Sequence, residues 1–232
     1  LALYGDYFLF SQPGEDRFLL NIGGIANFTF LPGNGDAAQA FATDTGPGNT
    51  LLDAAAQKYF NRPFDDGAKL AAAGAVQETW LAQLKKHPYF NLPYPTTTGP
   101  EQFSLDWVET ELRNTDGFAP TENYSCDLLA TLTRLTADTI SAGIRRVSQT
   151  GTKKAVLLSG GGAHNPLVLK YLQENLSGWE FRPMAETGID GDAKEAVLFA
   201  VLANEAVAGE VAPGARLGGL PLVGMGKISL PD

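Results

Sequence analysis

The stretch Phe41-Ala-Thr-Asp-Thr-Gly-Pro-Gly-Asn49 decides the organisation of this chain. An apolar run, Ala37 to Ala42, leads into it, and a helix-compatible run, Thr50 to Phe60, leads out of it. Between the two runs lie a single carboxylate, Asp44, and the sequence Gly46-Pro47-Gly48. This sequence predicts a turn, because Gly admits backbone conformations closed to other residues and Pro fixes its own φ. The stretch therefore predicts a strand, a tight turn and a helix, with Asp44 at the end of the strand.

The helix start beside Asp44 suggests a chemical role. Asn49 is a candidate N-cap, and helix N-termini bind anions. An acid next to an anion site suits phosphoryl transfer, because the base must reach the nucleophile while the phosphate stays in place. An ordinary strand–turn–helix corner explains the same nine residues equally well, so the stretch alone leaves both interpretations open.

Composition narrows the class of protein. The 232 residues are 44% hydrophobic and 19% charged, which suits one large or two small globular domains with a core. The net charge of −9 and the lack of a basic run argue against nucleic acid or an anionic membrane surface as a partner. No apolar run is long enough to span a membrane. The lack of an initiator Met predicts a fragment whose natural N-terminus has been removed.

Periodicity and turn residues predict an α/β domain with a mixed sheet in β-β-β-α-β-α order. Gly23-Gly24 between two strand-like runs is a hairpin signal. The predicted strands are Arg17 to Ile22, Ile25 to Leu31, Ala37 to Thr43, Ala155 to Ser159 and Trp179 to Pro183. The predicted helices are Thr50 to Phe60, Gln77 to Lys86, Asp106 to Arg113, Asp127 to Val147, Pro166 to about Leu176 and Asp192 to Ala208.

Three loops are candidates for one ligand cleft. In Asn21-Ile-Gly-Gly24 the glycines let backbone N–H groups approach a phosphate, although a plain hairpin turn explains them as well. The second loop is Asp44 to Asn49. In Ser159-Gly-Gly-Gly-Ala-His-Asn165 a strand, three glycines and a helix capped by Asn165 predict nucleotide contact. The spacings match neither a P-loop nor a dinucleotide fingerprint.

Other polar residues have structural explanations of at least equal weight. Glu195 is either a cleft acid or a capping residue at the start of its helix. His164 is a surface residue or lies behind the ligand contacts, and Asp53 supplies structural polarity. His87 and the single cysteine, Cys126, have no companions at metal-ligand spacing, so no metal site is predicted. The lone Cys126 fits a reducing compartment.

Taken together, the loops resemble the anhydro-N-acetylmuramic acid kinase family. The matching pieces follow the family's order: Leu20-Asn-Ile-Gly-Gly-Ile-Ala-Asn27, Asp44-Thr-Gly-Pro-Gly-Asn49, Gly160-Gly-Gly-Ala-His-Asn-Pro166, and Asp192-Ala-Lys-Glu-Ala196 with Phe199-Ala200. The family belongs to the actin/Hsp70/sugar-kinase superfamily, whose two lobes flank an ATP cleft. The resemblance implies an actin-like ATPase (ribonuclease H-like) lobe.

The resemblance also implies a chemistry. ATP, with Mg²⁺ bridging its phosphates, phosphorylates O6 of the sugar while water opens the 1,6-anhydro ring, in cytoplasmic peptidoglycan recycling. Asp44 resembles the base that activates the water. The remaining implied ligand contacts are a second phosphate loop (Asn21, Gly23, Gly24), an adenosine loop (Gly160, Gly161, Gly162, Asn165) and the sugar side (Gly46, Asn49, Glu195).

Two departures from the family matter. The chain resembles only the C-terminal part, without the N-terminal Gly-Thr-Ser-x-Asp-Gly phosphate loop, so we expect it to be inactive or nearly so alone. The implied division is a remnant of the inter-lobe connection (1–14), a C-terminal kinase lobe (15–210) and a tail that returns toward the missing lobe (211–232). In addition, Thr97 and Pro100 stand where the family usually has Lys and Arg.

Two alternatives stay open at this stage. One is a related sugar kinase of the same superfamily with an ordinary hydroxyl acceptor. The other is a non-catalytic module that binds nucleotide or assembles into oligomers. Implied partners are the missing N-terminal lobe and a second copy of the chain in a homodimer.

Overall fold

Five strands form one mixed sheet in the computed structural model of the chain, which describes residues 2–115, 118–148, 151–189, 194–208, 216–217 and 220–221. The sheet order is β3-β2-β1-β4-β5, with β2 antiparallel to β1 and β3, and β4 parallel to β1 and β5. The five strands are β1 (Glu15–Ile22), β2 (Ile25–Leu31), β3 (Phe41–Pro47), β4 (Lys153–Ser159) and β5 (Glu180–Pro183). The predicted α/β class with a mixed sheet is confirmed.

Helices precede, interrupt and follow the strands. They are α1 (Ala2–Phe10), α2 (Thr50–Phe60), α3 (Lys69–Ala72), α4 (Glu78–Leu84), α5 (Leu105–Arg113), α6 (Tyr124–Val147), α7 (Pro166–Asn175) and α8 (Lys194–Ala208). A separate pair of short strands, β6 (Arg216–Leu217) and β7 (Leu220–Pro221), lies in the predicted tail. Among the helices that the structure describes, none is long and apolar enough to cross a membrane.

The third strand differs from its prediction. Residues Ala37–Gln39 form a 3-10 helix, because the side chain of Asp36 accepts a hydrogen bond from the amide of Ala38 at 3.1 Å and caps that turn. β3 therefore begins at Phe41 and continues to Pro47, so Asp44 lies inside the strand and Gly46-Pro47 is not a turn. The sheet tolerates Pro47 because β3 is an edge strand.

The first face of the sheet packs on α6 and α7. Alternating residues of β1 and β2, among them Phe18, Leu20 and Phe28, are at most 2% exposed there. Ile140 of α6 and Val168 of α7 complete this cluster. The 24-residue α6 is the longest helix among the described residues and lies across the back of the sheet. This packing fixes the sheet on which the candidate site is built.

Within the part of the chain that the structure describes, α1 covers one end of the second face of the sheet. Phe10 of α1 packs with Leu19, Leu31 and Leu157 of the sheet. The hydroxyl of Thr29 also donates to the carboxylate of Asp6 at 2.8 Å. Residues 1–14 thus include a helix packed on the sheet, and the division of the chain at 14/15 and 210/211 stays a prediction.

One buried hydrogen bond ties α6 to the loop before α2. The hydroxyl of Thr136 donates to the carbonyl of Gly48 at 3.1 Å, and Thr136 is 1% exposed. Replacing Thr136 by Val keeps the shape but leaves the Gly48 carbonyl without this donor. We expect Thr136→Val to lower the free energy of unfolding by about 1–3 kcal/mol, measured by chemical denaturation.

The matched control is Thr133→Val on the same helix. Thr133 is also 1% exposed, but its hydroxyl donates to Leu129 within α6. The Leu129 carbonyl keeps its helical partner when that hydroxyl is removed. A smaller loss for Thr133→Val is therefore expected, and equal losses for the two variants would contradict the importance of the Gly48 contact.

Candidate functional site

Four polar side chains stand in a row across the sheet. The strand registers place Ser159 opposite Asn21, Asn21 opposite Asn27, and Asn27 opposite Asp44. Directly opposed residues on neighbouring strands point to the same face, so the row lies on the second face, beyond the part that α1 covers. All four residues are half-buried. This polar row (Ser159, Asn21, Asn27, Asp44) is the first component of the site.

Asp44 is held by the loop that follows Tyr94. Its Oδ2 accepts a hydrogen bond from the amide of Thr98 at 2.8 Å, and its own amide donates to the carbonyl of Thr96 at 2.9 Å. The hydroxyl of Tyr89 donates to the Asp44 carbonyl at 3.2 Å. Within the described part of the chain, Oδ1 of Asp44 has no hydrogen-bond donor. One carboxylate oxygen is fixed and the other is free to accept a proton, as a general base requires.

A β-bulge shapes β3 next to Asp44. The register shifts between Ala26 and Asn27, so that Thr45 is an extra residue between the pairs Asn27–Asp44 and Ala26–Gly46. The hydroxyl of Thr45 donates to the Ala26 carbonyl at 3.1 Å on the first face. Bulges bend a strand and redirect its side chains. Asp44 thus points to the second face while Thr45 points to α6.

The hairpin loop and the start of α2 bind each other directly. The carbonyl of Gly24 accepts from the amides of Gly48 at 2.8 Å and Thr50 at 3.1 Å, and the carbonyl of Gly23 accepts from the amide of Asn49 at 2.8 Å. These three amides are therefore not available to an anion, and an anion site at the start of α2 stays a prediction.

Asn49 also differs from its prediction. It occupies the N-cap position of α2 but makes no side-chain cap hydrogen bond. Its Nδ2 donates instead to the carbonyl of Ile22 at 3.2 Å. Asn49 has αR backbone geometry (φ −82°, ψ −17°) rather than the extended conformation typical of a capping residue, and its side chain bonds to the end of β1 instead. Asn49 therefore joins the hairpin to α2.

The triple-glycine loop packs against the same hairpin. Gly160 has φ 81° and ψ 166°, a region that is nearly closed to other residues. A Cβ there would lie 2.5 Å from Oδ1 of Asn21. A Cβ on Gly162 would lie 2.2 Å from Cγ2 of Ile22 and 3.0 Å from Oδ1 of Asn49. The three predicted loops thus meet at Ile22 and Asn49.

The helix after this loop forms as predicted. Gly161–His164 is a 3-10 helix, and Asn165 then caps α7 by accepting from the amides of Leu167 and Val168 at 3.1 Å each. Pro166 is the first residue of α7. His164 is exposed, in agreement with its interpretation as a surface residue.

Several residues singled out from the sequence lie away from the polar row or outside the described residues. Glu195 belongs to α8 by its backbone, but its side chain is outside the described part, as is Asp192. Asp53 is half-buried on α2, and burial raises the pKa of its carboxyl. Gly46 has φ 131°, and a Cβ there would lie 2.8 Å from the ring of Phe90. No group of three His, Cys, Asp or Glu among the described residues could hold a metal ion.

Asn27 and Thr98 belong to the site but were not predicted as site residues from sequence, and Ser159 was named only as the start of the third loop. The signal for Asn27 is the hairpin register, which sequence leaves ambiguous. A two-residue Gly23-Gly24 turn would place Ala26 opposite Asn21, whereas the observed register pairs Asn21 with Asn27. A shift of one residue moves each side chain to the other face.

The aromatic side chains of Tyr89 and His87 help to hold the segment around Asp44 in place. Burial raises the pKa of Tyr89 to about 12, and the charge of Asp44 acts in the same direction, so the hydroxyl stays protonated. Burial lowers the pKa of His87, against the opposing effect of Glu111. Nδ1 of His87 accepts a hydrogen bond from the amide of Tyr89 at 3.2 Å. Neutral His87 thus holds the turn that carries Tyr89.

Comparison with known proteins identifies a family for this chain. A family profile described as "Anhydro-N-acetylmuramic acid kinase" matches residues 3–217. The curated protein of that name from Pseudoalteromonas atlantica is 42% identical over 237 residues, which cover 100% of this chain and 58% of the relative. The one from Vibrio cholerae is 40% identical over 215 residues, which cover 92% and 55%. The chain spans about half the length of the curated relatives it matches and corresponds to their C-terminal part.

Among solved structures, the activator of the 2-hydroxyisocaproyl-CoA dehydratase from Clostridium difficile with bound ADPNP is similar. The likeness covers 91% of this chain and 69% of that chain, with a TM-score of 0.45 and 17% sequence identity. At this level the likeness supports no statement about the site.

The glycine contacts generate a stability prediction. We expect Gly160→Ala to lower the free energy of unfolding by about 2 kcal/mol or more, because Ala is strained at this φ and its Cβ clashes with Asn21. Gly161→Ala is the matched control, since the nearest atom to a Cβ there is Nδ2 of Asn49 at 3.7 Å. Chemical denaturation measures both, and a Gly160→Ala variant as stable as Gly161→Ala would show that the loop packs differently.

The lowered pKa of His87 generates a pH prediction. An unfolded chain protonates this histidine near pH 6.5, before the folded chain does. The free energy of unfolding should therefore fall as the pH drops below about 6.5. In His87→Gln this part of the pH dependence should disappear, whereas His164→Gln should retain it. Denaturation curves between pH 5 and 8, about the range in which histidine titrates, test this; a profile unchanged in His87→Gln would be the contrary result.

Proposed function

This chain belongs to the anhydro-N-acetylmuramic acid kinase family, and we propose that it forms the C-terminal lobe of an ATP-dependent sugar kinase. The mixed sheet with two antiparallel pairings and two parallel ones supports an actin-like, ribonuclease H-like lobe. The observation that carries the proposal is that three glycine-rich loops meet beside a row of polar residues that ends in Asp44.

The proposed reaction acts on the 1,6-anhydro ring of anhydro-N-acetylmuramic acid. A water oxygen attacks C1, the bond from C1 to O6 breaks, and O6 receives the γ-phosphoryl group of ATP. The proton of the water passes to a base. The products are N-acetylmuramic acid 6-phosphate and ADP, which places the reaction in cytoplasmic peptidoglycan recycling.

Asp44 is the proposed base. Its support is geometric: Thr98 fixes Oδ2 at 2.8 Å, and Oδ1 is free within the described residues. The carboxylate stands at the edge of the sheet, next to Asn27, whose amide can orient the same water or a sugar hydroxyl. A base held by backbone hydrogen bonds loses little freedom when the substrate arrives.

The glycine loops are the proposed nucleotide side. Gly160, Gly161 and Gly162 with Asn165 would hold the adenosine, and the Asn21 hairpin with Gly23 and Gly24 would face the phosphates. The contact between Gly160 and Asn21 supports this role, because it brings the two loops together. Glycines in both loops would let a ligand approach the backbone closely. Since no three-residue metal cluster exists among the described residues, Mg²⁺ would be held chiefly by the phosphates.

The proposed sugar side comprises Gly46, Asn49 and Glu195. Nδ2 of Asn49 donates one hydrogen to Ile22, which leaves its second N–H and its Oδ1 for a ligand within the described part of the chain. The loop through Thr97 and Pro100 lies next to Asp44, and its lack of the family's Lys and Arg predicts weaker recognition of a substrate carboxylate. A homodimer, and a need for the N-terminal part that the longer relatives have, belong to the same proposal; the chain alone would be inactive or nearly so.

Substitution of the base tests the proposal. In the full-length protein, Asp44→Asn should lower kcat by about 10²- to 10⁴-fold, because the amide keeps the hydrogen bond from Thr98 but cannot accept the proton. Release of ADP from ATP with anhydro-N-acetylmuramic acid measures kcat. Asp53→Asn, on the first turn of α2, is the matched control and should retain kcat within a few fold.

Water labelled with ¹⁸O separates the proposed reaction from its alternative. The product should gain one labelled oxygen at C1, detected by mass spectrometry, whereas a kinase with an ordinary hydroxyl acceptor would add none. Nucleotide binding without turnover in the full-length protein would refute the kinase proposal and favour a binding module.

A further inference from the structure

A cavity of about 420 Å³ lies on the first face of the sheet, behind the candidate base. It runs along the C-terminal half of α6, between the segment 85–94 and the end of α7; we call it the α6 groove. Its lining includes Thr45, which follows Asp44 in β3 but points to the opposite face. Its volume is within the range of small-molecule sites, about 300–1,000 Å³.

The charge of the α6 groove is opposite to that of the chain. Four cationic side chains line it, Lys85, Arg134, Arg145 and Arg146, against one carboxylate, Asp138. The lining therefore carries a formal charge of +3, in a chain whose net charge is −9. Such a local concentration of positive charge attracts anions.

One end of the groove is already neutralised. Asp138 forms ion pairs with Lys85 and with Nε of Arg134, the latter at 2.9 Å. A terminal nitrogen of Arg134 also lies 3.6 Å from the carboxylate of Glu174. This end holds its own charges in place and offers little to an anion.

The other end holds two guanidinium groups that form no ion pair with a carboxylate of the described residues. Arg146 donates to the carbonyls of Phe90 at 3.3 Å and Leu92 at 3.0 Å and lies 4.4 Å from the centre of the Tyr94 ring. These contacts fix its position but leave its charge uncompensated. Arg145 is exposed and has no ion pair within the described residues.

Helix electrostatics explain only part of this arrangement. Cations in the last turn of α6 complement the helix dipole. That effect does not require a cavity beside the cations, nor a wall of neutral hydrogen-bonding groups. Asn91, Thr139, Ser141 and Asn175 supply such a wall, in which the Thr139 and Ser141 hydroxyls donate within α6 and Asn175 bonds to Arg134 and Asp138.

We propose that the α6 groove binds a small anionic molecule that bears a phosphate or carboxylate group. Arg145 and Arg146 hold the anionic group, because the planar guanidinium matches both oxyanions and can bind them through two hydrogen bonds. The neutral part of the ligand lies along α6 toward Asn175. This site is separate from the polar row, and the proposal does not depend on the kinase reaction.

Calorimetric titration of the full-length protein with diphosphate and with citrate tests the proposal. Two variants change the groove without removing any contact that the structure shows: Arg145→Ala, and Ala142→Glu at an exposed lining position. In both, the Kd of the better probe should rise at least tenfold. The probe that binds more tightly tells whether phosphate or carboxylate is preferred.

Arg113→Ala is the matched control. Arg113 is an exposed arginine outside the groove that pairs with Glu109, and its loss changes the net charge by the same amount as either groove variant. The wild-type Kd should persist in this variant. Circular dichroism confirms that each variant is folded, and if one groove variant unfolds, the other decides.

Three outcomes of the titration would overturn the proposal. They are no saturable binding of either probe, an unchanged Kd in the groove variants, and an equal loss in Arg113→Ala, which would reflect total charge only. Burial of the groove between two copies of the chain, detected as dissociation of a dimer by Ala142→Glu without any anion binding, would also overturn it.

Discussion

The hydrogen bonds from the start of α2 to the carbonyls of Gly23 and Gly24 hold the candidate site together. They join the β1–β2 hairpin to the loop before α2, and Thr136 of α6 holds the same loop from the other side. The approach is close: a Cβ on Gly48 would lie 2.3 Å from the carbonyl oxygen of Gly23. No side chain fits at position 48 in this contact, which explains the glycine there. Sheet, helix and hairpin are thereby placed in one fixed arrangement.

Sequence predicted most elements but not their alignment. Helix α2 and strand β2 have the predicted bounds, because hydrophobic pattern and flanking glycines are local signals. The third strand was misplaced because Asp36 caps a short turn, a contact that competes with strand pairing. The hairpin register, and therefore the place of Asn27 in the polar row, could not be predicted, because register depends on packing of the whole sheet.

The two asparagines at helix starts show the same limit in a single residue type. Asn165 caps α7 as its position predicts, with two amides bound to its side chain. Asn49 stands at the equivalent position of α2 but donates to Ile22 of the sheet. Local preference decides the first case, and a neighbouring strand decides the second. Asn49, where the three loops meet, is thus a residue for which the local rule failed.

The candidate site contains amides, hydroxyls and one acid but no positive charge among the contacts described above. A phosphoryl group in transfer needs positive charge around its oxygens. Under the proposed function, this charge would come from Mg²⁺ and from the part of the protein beyond the matched half. This lobe would then position the water and the nucleotide, and Mg²⁺ with the rest of the protein would neutralise the charge of the phosphates.

The loop that contains Thr96 and Thr98 also occupies part of the outer edge of β3. β3 is the outermost strand of its sheet, and an uncovered edge strand is a template for pairing with another chain. The amide of Asp44 bonds to Thr96 and its carboxylate to Thr98, so part of this edge is already occupied. The contacts that orient the Asp44 carboxylate therefore also occupy groups of an edge strand, and a change that frees the loop would expose that edge to pairing with another chain.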